Sequence, residues 1–488
     1  MEVRIGLSPH LKTMAANALA YTYRYDAPSA LETESGSSSP RLRLATCTGA
    51  GEQPHFFAGA PRHAYVLGKM LLTLSDVVRT HFYEPNRLAL LDPVVTASES
   101  MLRFEGFSSC CGVYARADLP GEAFDAEIAG RGTTNVDFND PMRQALARLR
   151  DSDEVRLAVG RSEVVLERQG VATVEKKVKL PIRWLKGLGE VQAYQATLEP
   201  KIEVDGAEAL RFVRTLARSL SRRGGFIVKS GRSLRLSPRL SPRQKGGGVP
   251  LYGPHRARVL EPVIAGARHV RIWTDEEGGA GGVGVSAWEI EHESARFFLV
   301  LSPEVHRGFS GEGQLLDQLA SGAGRDLLRT VRAHLGWQTR IDPEQMSAVT
   351  GLESHRLHGA LAALGARGLA GYDLNEGAYF HRELPFDIDL IEALQPRLEN
   401  ARKLLDAGDA RLLGEGRDDC FEVEVRGSGV RHIVSVGKVA GAAGERCTCR
   451  WWSRYQGRRG PCKHVLVARM LVESLASGES ASDQPGRP

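Results

Sequence analysis

Apolar residues recur along the chain with two different periods, and the changes of period mark its elements. "YVLGKMLLTLSDVVRTHF" (Tyr65–Phe82) repeats them every three or four positions, which predicts a helix with one buried stripe. "PMRQALARLR" from Pro141 predicts another, and "EVRLAVG", "SEVVLERQG" and "TVEKKVKLP" then alternate as strands do. "HVRIWT", "GVSAWEIEH" and "RFFLVLS" are read as strands of a further α+β stretch. Near Asp326 the helical period returns. "DLLRTVRAHL" predicts an amphipathic helix, and "DPEQMSAVTG" a short one started by Asp342 with Pro343 in its first turn. "ESHRLHGALAALGARG" predicts a third that ends at Gly368. "LAGYDL" and "AYFHREL" flank the turn Asn375–Gly377 as a hairpin. A long amphipathic helix is then expected from about Asp387 to Ala407. "CFEVEVRG" and "VRHIVSVGK" follow as an alternating hairpin that delivers the chain to Cys447.

At 488 residues the chain exceeds one ordinary core, since domains run to about 100–200 residues. The fold class expected is α+β multidomain, with β-rich N-terminal and central regions. The divisions read from the pattern are an α+β unit at 1–100, a helix plus β-meander at 101–210 and a basic segment at 211–258. Beyond these lie an α+β unit at 259–325, three helices and a hairpin at 326–386, a linker helix and finger at 387–475, and a disordered tail at 476–488. No run approaches the roughly 18 apolar residues of a membrane span. The N-terminus shows no sustained apolar region followed by a cleavage site, so no secretory signal is expected. A cytoplasmic protein with no membrane partner is the expectation.

Charge changes the picture at one place. The net charge is +5, yet residues 211–258 hold thirteen Lys or Arg and no Asp or Glu, so the basic character is local. Its first part, Arg211–Arg222, reads as a helix; two "LSPR" copies and a Gly triplet argue against regular structure in the rest. Two readings stay open: a solvated linker paired with acidic neighbours, or a polyanion-binding segment.

Seven cysteines spread over so long a chain are no disulfide framework, and four of them fall between Cys420 and Cys462. Cys110, Cys111 and Cys47 read as packed small side chains. In "CTCRWWSRYQGRRGPCKHVLVARM" (Cys447–Met470), residues i and i+2 of an extended strand project to one side, so Cys447 and Cys449 grip one ion together. Twelve residues separate Cys449 from Cys462, enough for the chain to reverse. Cys462 and His464 then stand where an apolar helix begins. Three thiolates and one imidazole make a closed tetrahedral set suited to a single structural Zn2+. Cys420 and His432 read as packing or surface residues.

This pattern, with "CTCRWW", "RRGPCKH" and the following apolar helix, resembles the SWIM zinc finger, of the kind found in large multidomain bacterial proteins. One departure is Arg450, where relatives often carry Pro. The resemblance implies a ββα zinc finger, a binding module associated with nucleic acid and protein partners. Arg446, Arg450 and Lys463 partly neutralise the thiolates. Arg450, Trp451, Arg454, Arg458, Arg459 and Lys463 are the candidate nucleic-acid contacts, through phosphates and base stacking, with DNA or RNA as partner. Large bacterial SWIM proteins resemble accessory components found with MoxR-type ATPases and von Willebrand A-domain proteins, which makes an adaptor in such a system the main alternative.

Two other segments resemble known architectures. The helix and consecutive hairpins of 101–210 resemble, in pattern, a half-module of a DNA sliding clamp. The three helices and hairpin of 326–386 resemble a winged helix, which places Ser354, His355, Arg356 and His358 near the start of the recognition-position helix. From Leu327 to Pro385 there are six Lys or Arg and six Asp or Glu, so a structural or protein-contacting role is as well supported as DNA reading. Enzyme signatures are sparse. "GAGGVG" (Gly279–Gly284) satisfies G-x-G-x-x-G, but a strand pattern follows it and Asp275, Glu276 and Glu277 precede it, so it is read as a hairpin loop. No P-loop, H-E-x-x-H or G-x-S-x-G is present. A non-enzymatic protein is the first expectation, and an enzyme with a distributed N-terminal site the third.

Overall fold

The first apolar stripe forms helix α1 (Ala64–Arg79), which buries Leu67, Met70, Leu71, Leu74, Val77 and Val78 on one face. A computed structural model of the chain describes residues 30–32, 41–43 and most of 55–476. The longest interruptions are 84–92, 168–181, 276–283, 317–324, 385–394 and 438–444. Contacts divide the chain into two units, 1–187 with 197–309 and 383–385, and 188–196 with 310–382 and 386–488.

In the first unit β1 (Ala30–Glu32), β2 (Arg41–Arg43) and β3 (His55–Pro61) precede α1. After it come β4 (Val94–Ala97), β5 (Met101–Phe107), β6 (Val113–Pro120), β7 (Phe124–Glu127) and β8 (Gly132–Asn135). Next are α2 (Asp140–Ala147), β9 (Arg156–Gly160) and β10 (Val164–Glu167); α3 (Ile182–Gln195) passes into the second unit at Leu188. Back in the first unit are β11 (Glu199–Asp205), α4 (Gly206–Thr215), β12 (Gly225–Ser230), β13 (Ser233–Ser237) and β14 (Val249–Leu251). The unit closes with α5 (Glu261–Ile264), β15 (His269–Thr274), β16 (Ser286–Glu291) and β17 (Arg296–Leu301).

Six of these strands form an antiparallel sheet in the order β1-β2-β10-β9-β3-β7, and eight form another, β11-β15-β16-β17-β6-β5-β4-β8. The two halves of the larger sheet join where β17 meets β6, with Leu299 opposite Ala115 and Phe297 opposite Ala117. Strands from 94–135 and from 199–301 therefore share one sheet. Helix α1 packs on β5 and β6, and Gly106 makes room for it, since a Cβ there would stand 2.6 Å from Val78 Cγ2. β15 and β16 pair antiparallel and Gly284 has φ +74, while residues 276–283 between them lie outside the described residues. A strand, not a helix, follows that glycine segment.

The basic stretch is more regular than its composition suggests. Its helix, α4, ends at Thr215 instead of reaching Arg222, and residues 225–251 build a three-stranded sheet in the order β13-β12-β14. Burial of Ile227, Val228, Leu234, Val249 and Leu251 outweighs the prolines and glycines, and Gly231, at φ +61, turns the hairpin. Several of its cations meet acids: Arg211 pairs with Glu208, and Arg214 and Arg258 with Glu261 at 2.9 and 2.6 Å. Arg256 is fully buried and donates to the carbonyls of Gly112 and Ser302 at 2.8 and 2.7 Å. Burial in this site, which offers carbonyls as acceptors, pulls its pKa down to about 10. Cys111 is buried and Cys110 half-buried; Cys47 lies outside the described residues.

The second unit contains α6 (Arg325–Ala333), α7 (Pro343–Thr350), α8 (Ser354–Ala366) and the hairpin β18 (Ala370–Asp373) and β19 (Ala378–His381). Asp342 caps α7 by accepting from the amides of Glu344 and Gln345, and Gly351 and Gly368 adopt φ +70 and +81 beyond the ends of α7 and α8. Their core joins Val331, Leu335, Ile341, Met346, Leu357, Leu361 and Leu364. Ser354, Arg356 and His358 are exposed.

Further on, α9 (Pro396–Asp406) starts at its proline, with Gln395 outside the helix, so the helix expected from Asp387 does not run unbroken to Ala407. Proline has no N–H to donate and suits a first turn. Residues 385–394 lie outside the described residues. β20 (Ala410–Glu415), β21 (Cys420–Gly427), β22 (Val430–Gly437) and β23 (Arg446–Cys447) form an antiparallel sheet in that order. Helices α10 (Arg450–Tyr455) and α11 (Lys463–Ala476) complete the unit, and residues 477–488 lie outside the described residues. Among the described residues no helix is long and apolar enough to cross a membrane.

Candidate metal centre

Sheet and helix meet over a core of Leu398, Ala401, Val423, Val425, Val434, Val436, Val465 and Leu466, and the three candidate cysteines sit in that core. Cys447 ends β23, opposite Val434 of β22. Cys449 caps α10, its sulfur accepting from the Trp452 amide at 3.4 Å. Cys462 immediately precedes α11 and His464 lies in its first turn. The donor atoms of Cys447, Cys449, Cys462 and His464 all lie within 4.8 Å of one another, and each residue is 3–7% exposed. The four expected ligands are therefore brought together and are positioned to bind one metal ion. The pairs differ from a simple strand grip, because Cys447 belongs to a strand and Cys449 to a helix start.

The donor set fits zinc. A tetrahedral ion with arms of about 2.3 Å sets its donors roughly 3.8 Å apart, and His464 Nδ1 lies 3.8 Å from Cys447 Sγ. Hydrogen bonding within the cluster divides the thiols. Cys449 is held far below the ordinary thiol range by bonds from Cys447 and Cys462, Cys447 is pushed up to about 11 by its bond with Cys449, and Cys462 is raised as well, first by Cys447. A divalent cation supplies the charge that lets buried thiols this close together ionise.

Neighbours shape the site. His464 Nε2 faces Gly427, where a Cβ would come within 2.7 Å of it. The His432 ring lies 4.2 Å from the His464 ring, at 33°, and Cys420 is buried on β21. Neither belongs to the donor cluster. Glu445, ahead of β23, takes a two-pronged bond from Arg469 of α11, at 2.7 and 2.6 Å, with both side chains nearly buried. Arg469 is one of the seven Lys or Arg among residues 446–469, but this pair withdraws it from the surface. The sequence offers only a faint signal for it, an acid just before the first cysteine.

The candidate nucleic-acid contacts divide. Arg450 and Arg454 are exposed on α10, Arg454 lying 5.3 Å from the Tyr455 ring centre. Lys463 is half-buried at the start of α11, and Trp451 and Trp452 are half-buried against the core. Arg458 and Arg459 lie outside the described residues. Trp451 has a partner that local reading missed: the guanidinium of Arg397, from α9, lies 4.7 Å from its ring centre, and Arg397 Nη1 donates to the Pro461 carbonyl at 2.8 Å.

A buried set of three cysteines and one histidine, held between a hairpin and a helix, defines a zinc-finger type of metal site. Residues 432–468 match the family model described as SWIM zinc finger, and the chain carries that finger from β22 into α11. No curated protein matches the chain. Among solved structures, Proliferating Cellular Nuclear Antigen from Entamoeba histolytica is similar at 11% identity and a TM-score of 0.34, over 51% of this chain and 99% of that one. That degree of similarity carries no argument about this chain.

Proposed function

We propose that the chain is a non-enzymatic binding protein in which one zinc ion is structural and the cationic surface of the finger binds nucleic acid, DNA first. The closed donor set carries this reading. Four protein donors, each nearly buried, satisfy a tetrahedral ion without leaving a position for water, so the metal holds the fold and does not activate a nucleophile. Exposed Arg450 and Arg454 beside it are available to phosphates. The three helices and hairpin of the second unit are read as a winged-helix-like module with Arg356 outward, and thiolate donors kept reduced fit a cytoplasmic setting.

The test is binding of single- and double-stranded DNA and RNA by the full zinc-loaded chain across salt concentration. Affinity is expected to fall steeply with salt and to weaken on replacing Arg450 and Arg454 with Ala. Salt-insensitive binding, or none, would overturn the nucleic-acid reading. A second reading, an adaptor for an ATPase of the MoxR type, is favoured by exposed apolar residues on the finger's sheet, Leu413 at 43%, Val430 at 55% and Ile433 at 38%. It predicts co-purification with the ATPase and loss of that partner in Val430→Asp.

A further inference from the structure

Beside the metal donors the finger carries a cavity of about 370 Å3, lined by Arg397, Arg450, Lys463, Trp451 and His432 together with three of the four donors, Cys449, Cys462 and His464. Its size falls among small-ligand pockets, roughly 300–1,000 Å3, and exceeds what an ion needs. No Asp or Glu lines it among the described residues. Three thiolates around a divalent ion carry a formal single negative charge, which three cations outweigh. An anion is the occupant such a lining favours.

Arg397 lies outside the segment that matches the family, and among the described residues two contacts hold its guanidinium at the finger. One is the Trp451 ring, 4.7 Å away, and the other is the bond to the Pro461 carbonyl at 2.8 Å. A planar guanidinium held this way is suited to a phosphate. The Trp451 ring has little left for a base. Arg397 occupies its face, the Tyr455 ring is 4.6 Å away at 59°, and its Nε1–H points to the Gly460 carbonyl at 3.4 Å.

We propose that Arg397, Arg450 and Lys463 form a phosphate pocket that takes a backbone phosphate of the bound nucleic acid, and that Trp451 positions Arg397 instead of stacking on a base. This rests on the nucleic-acid reading above. Free phosphate offers the same chemistry as the backbone, so the test uses both probes.

Binding of a fluorescent single-stranded oligonucleotide to the full zinc-loaded chain is measured across salt for wild type, Arg397→Gln, Arg397→Lys, Trp451→Leu and the double variant Arg397→Gln/Trp451→Leu. Inorganic phosphate is titrated in parallel and followed by 31P line broadening, and metal content is checked throughout. Arg397→Gln is expected to weaken oligonucleotide binding about tenfold, to reduce the slope of log K against log salt by about 0.7 and to abolish the phosphate signal. Arg397→Lys falls between, and decides the matter if Arg397→Gln loses metal. Trp451→Leu weakens binding, and the double variant is no weaker than Arg397→Gln, because both act through one guanidinium. Additive losses would overturn the positioning role of Trp451. Wild-type affinity and slope in Arg397→Gln would overturn the pocket while leaving the nucleic-acid reading intact. Phosphate binding lost in Arg397→Gln, with no oligonucleotide binding by wild type, would keep the pocket and overturn that reading. If neither probe binds wild type, both fall.

Discussion

Gly427 shows how closely single positions are specified around the metal donors. A methyl group there would press on His464 Nε2 at 2.7 Å, and Gly427 lies in a strand that cannot shift without disturbing its neighbours. Gly427→Ala is expected to cost about 1–3 kcal/mol in urea unfolding and to weaken zinc retention against a competing chelator. Glu445 and Arg469 illustrate a different constraint. Removing one member leaves the other charged and nearly buried, so Glu445→Ala should destabilise the finger by about 3–5 kcal/mol. A loss no larger than that of an exposed pair would show that the contact is incidental. In the first unit His255 and His292 hydrogen-bond to the carbonyls of Phe82 and Val263, and burial holds both below the ordinary value of 6.5. The fold thus favours their neutral forms, and the unfolded chain takes up protons first as pH drops. Their contribution is complete above the unfolded value of 6.5 and is lost as pH falls through it toward the lower folded values. The urea midpoint of the first unit should be lower at about pH 5.5 than at about pH 7.5, and His292→Gln should narrow that difference.

Helix starts and stops carry much of the local information that can be read in advance. Asp342 with Pro343 opens α7 and Gly368 follows α8, as the pattern of the sequence anticipates, because caps are local bonds between residues two or three apart. Asp342→Ala should cost about 0.5–2 kcal/mol, measured as a shift in the unfolding of the second unit. Where elements departed from expectation, a local term decided one case and burial the other. Pro396 starts α9 and excludes Gln395 from it, while buried Ile227 and Leu234 make a hairpin from a segment whose prolines and charges read as irregular. "RWWSRY" gave no helical period because six residues are too few to show one, yet it forms α10 under the Cys449 cap.

Long-range pairings were not legible. Nothing in β6 or β17 announces that Ala115 and Leu299 face each other, since period-two alternation defines a strand and not its neighbour. The metal donors were legible because cysteine and histidine at fixed spacing leave few alternatives, whereas Arg397 reaches the same site from an earlier helix and resembles any other surface cation in the sequence. The finger's sheet and helices together supply all four donors for one ion. Metal analysis of the purified full chain tests this most directly. The account predicts close to one equivalent of zinc in the wild type and its loss in Cys447→Ala/Cys462→Ala, with the far-ultraviolet signal of the first unit retained. Wild-type chain purified without bound zinc, or a double variant with unchanged metal content, would contradict it.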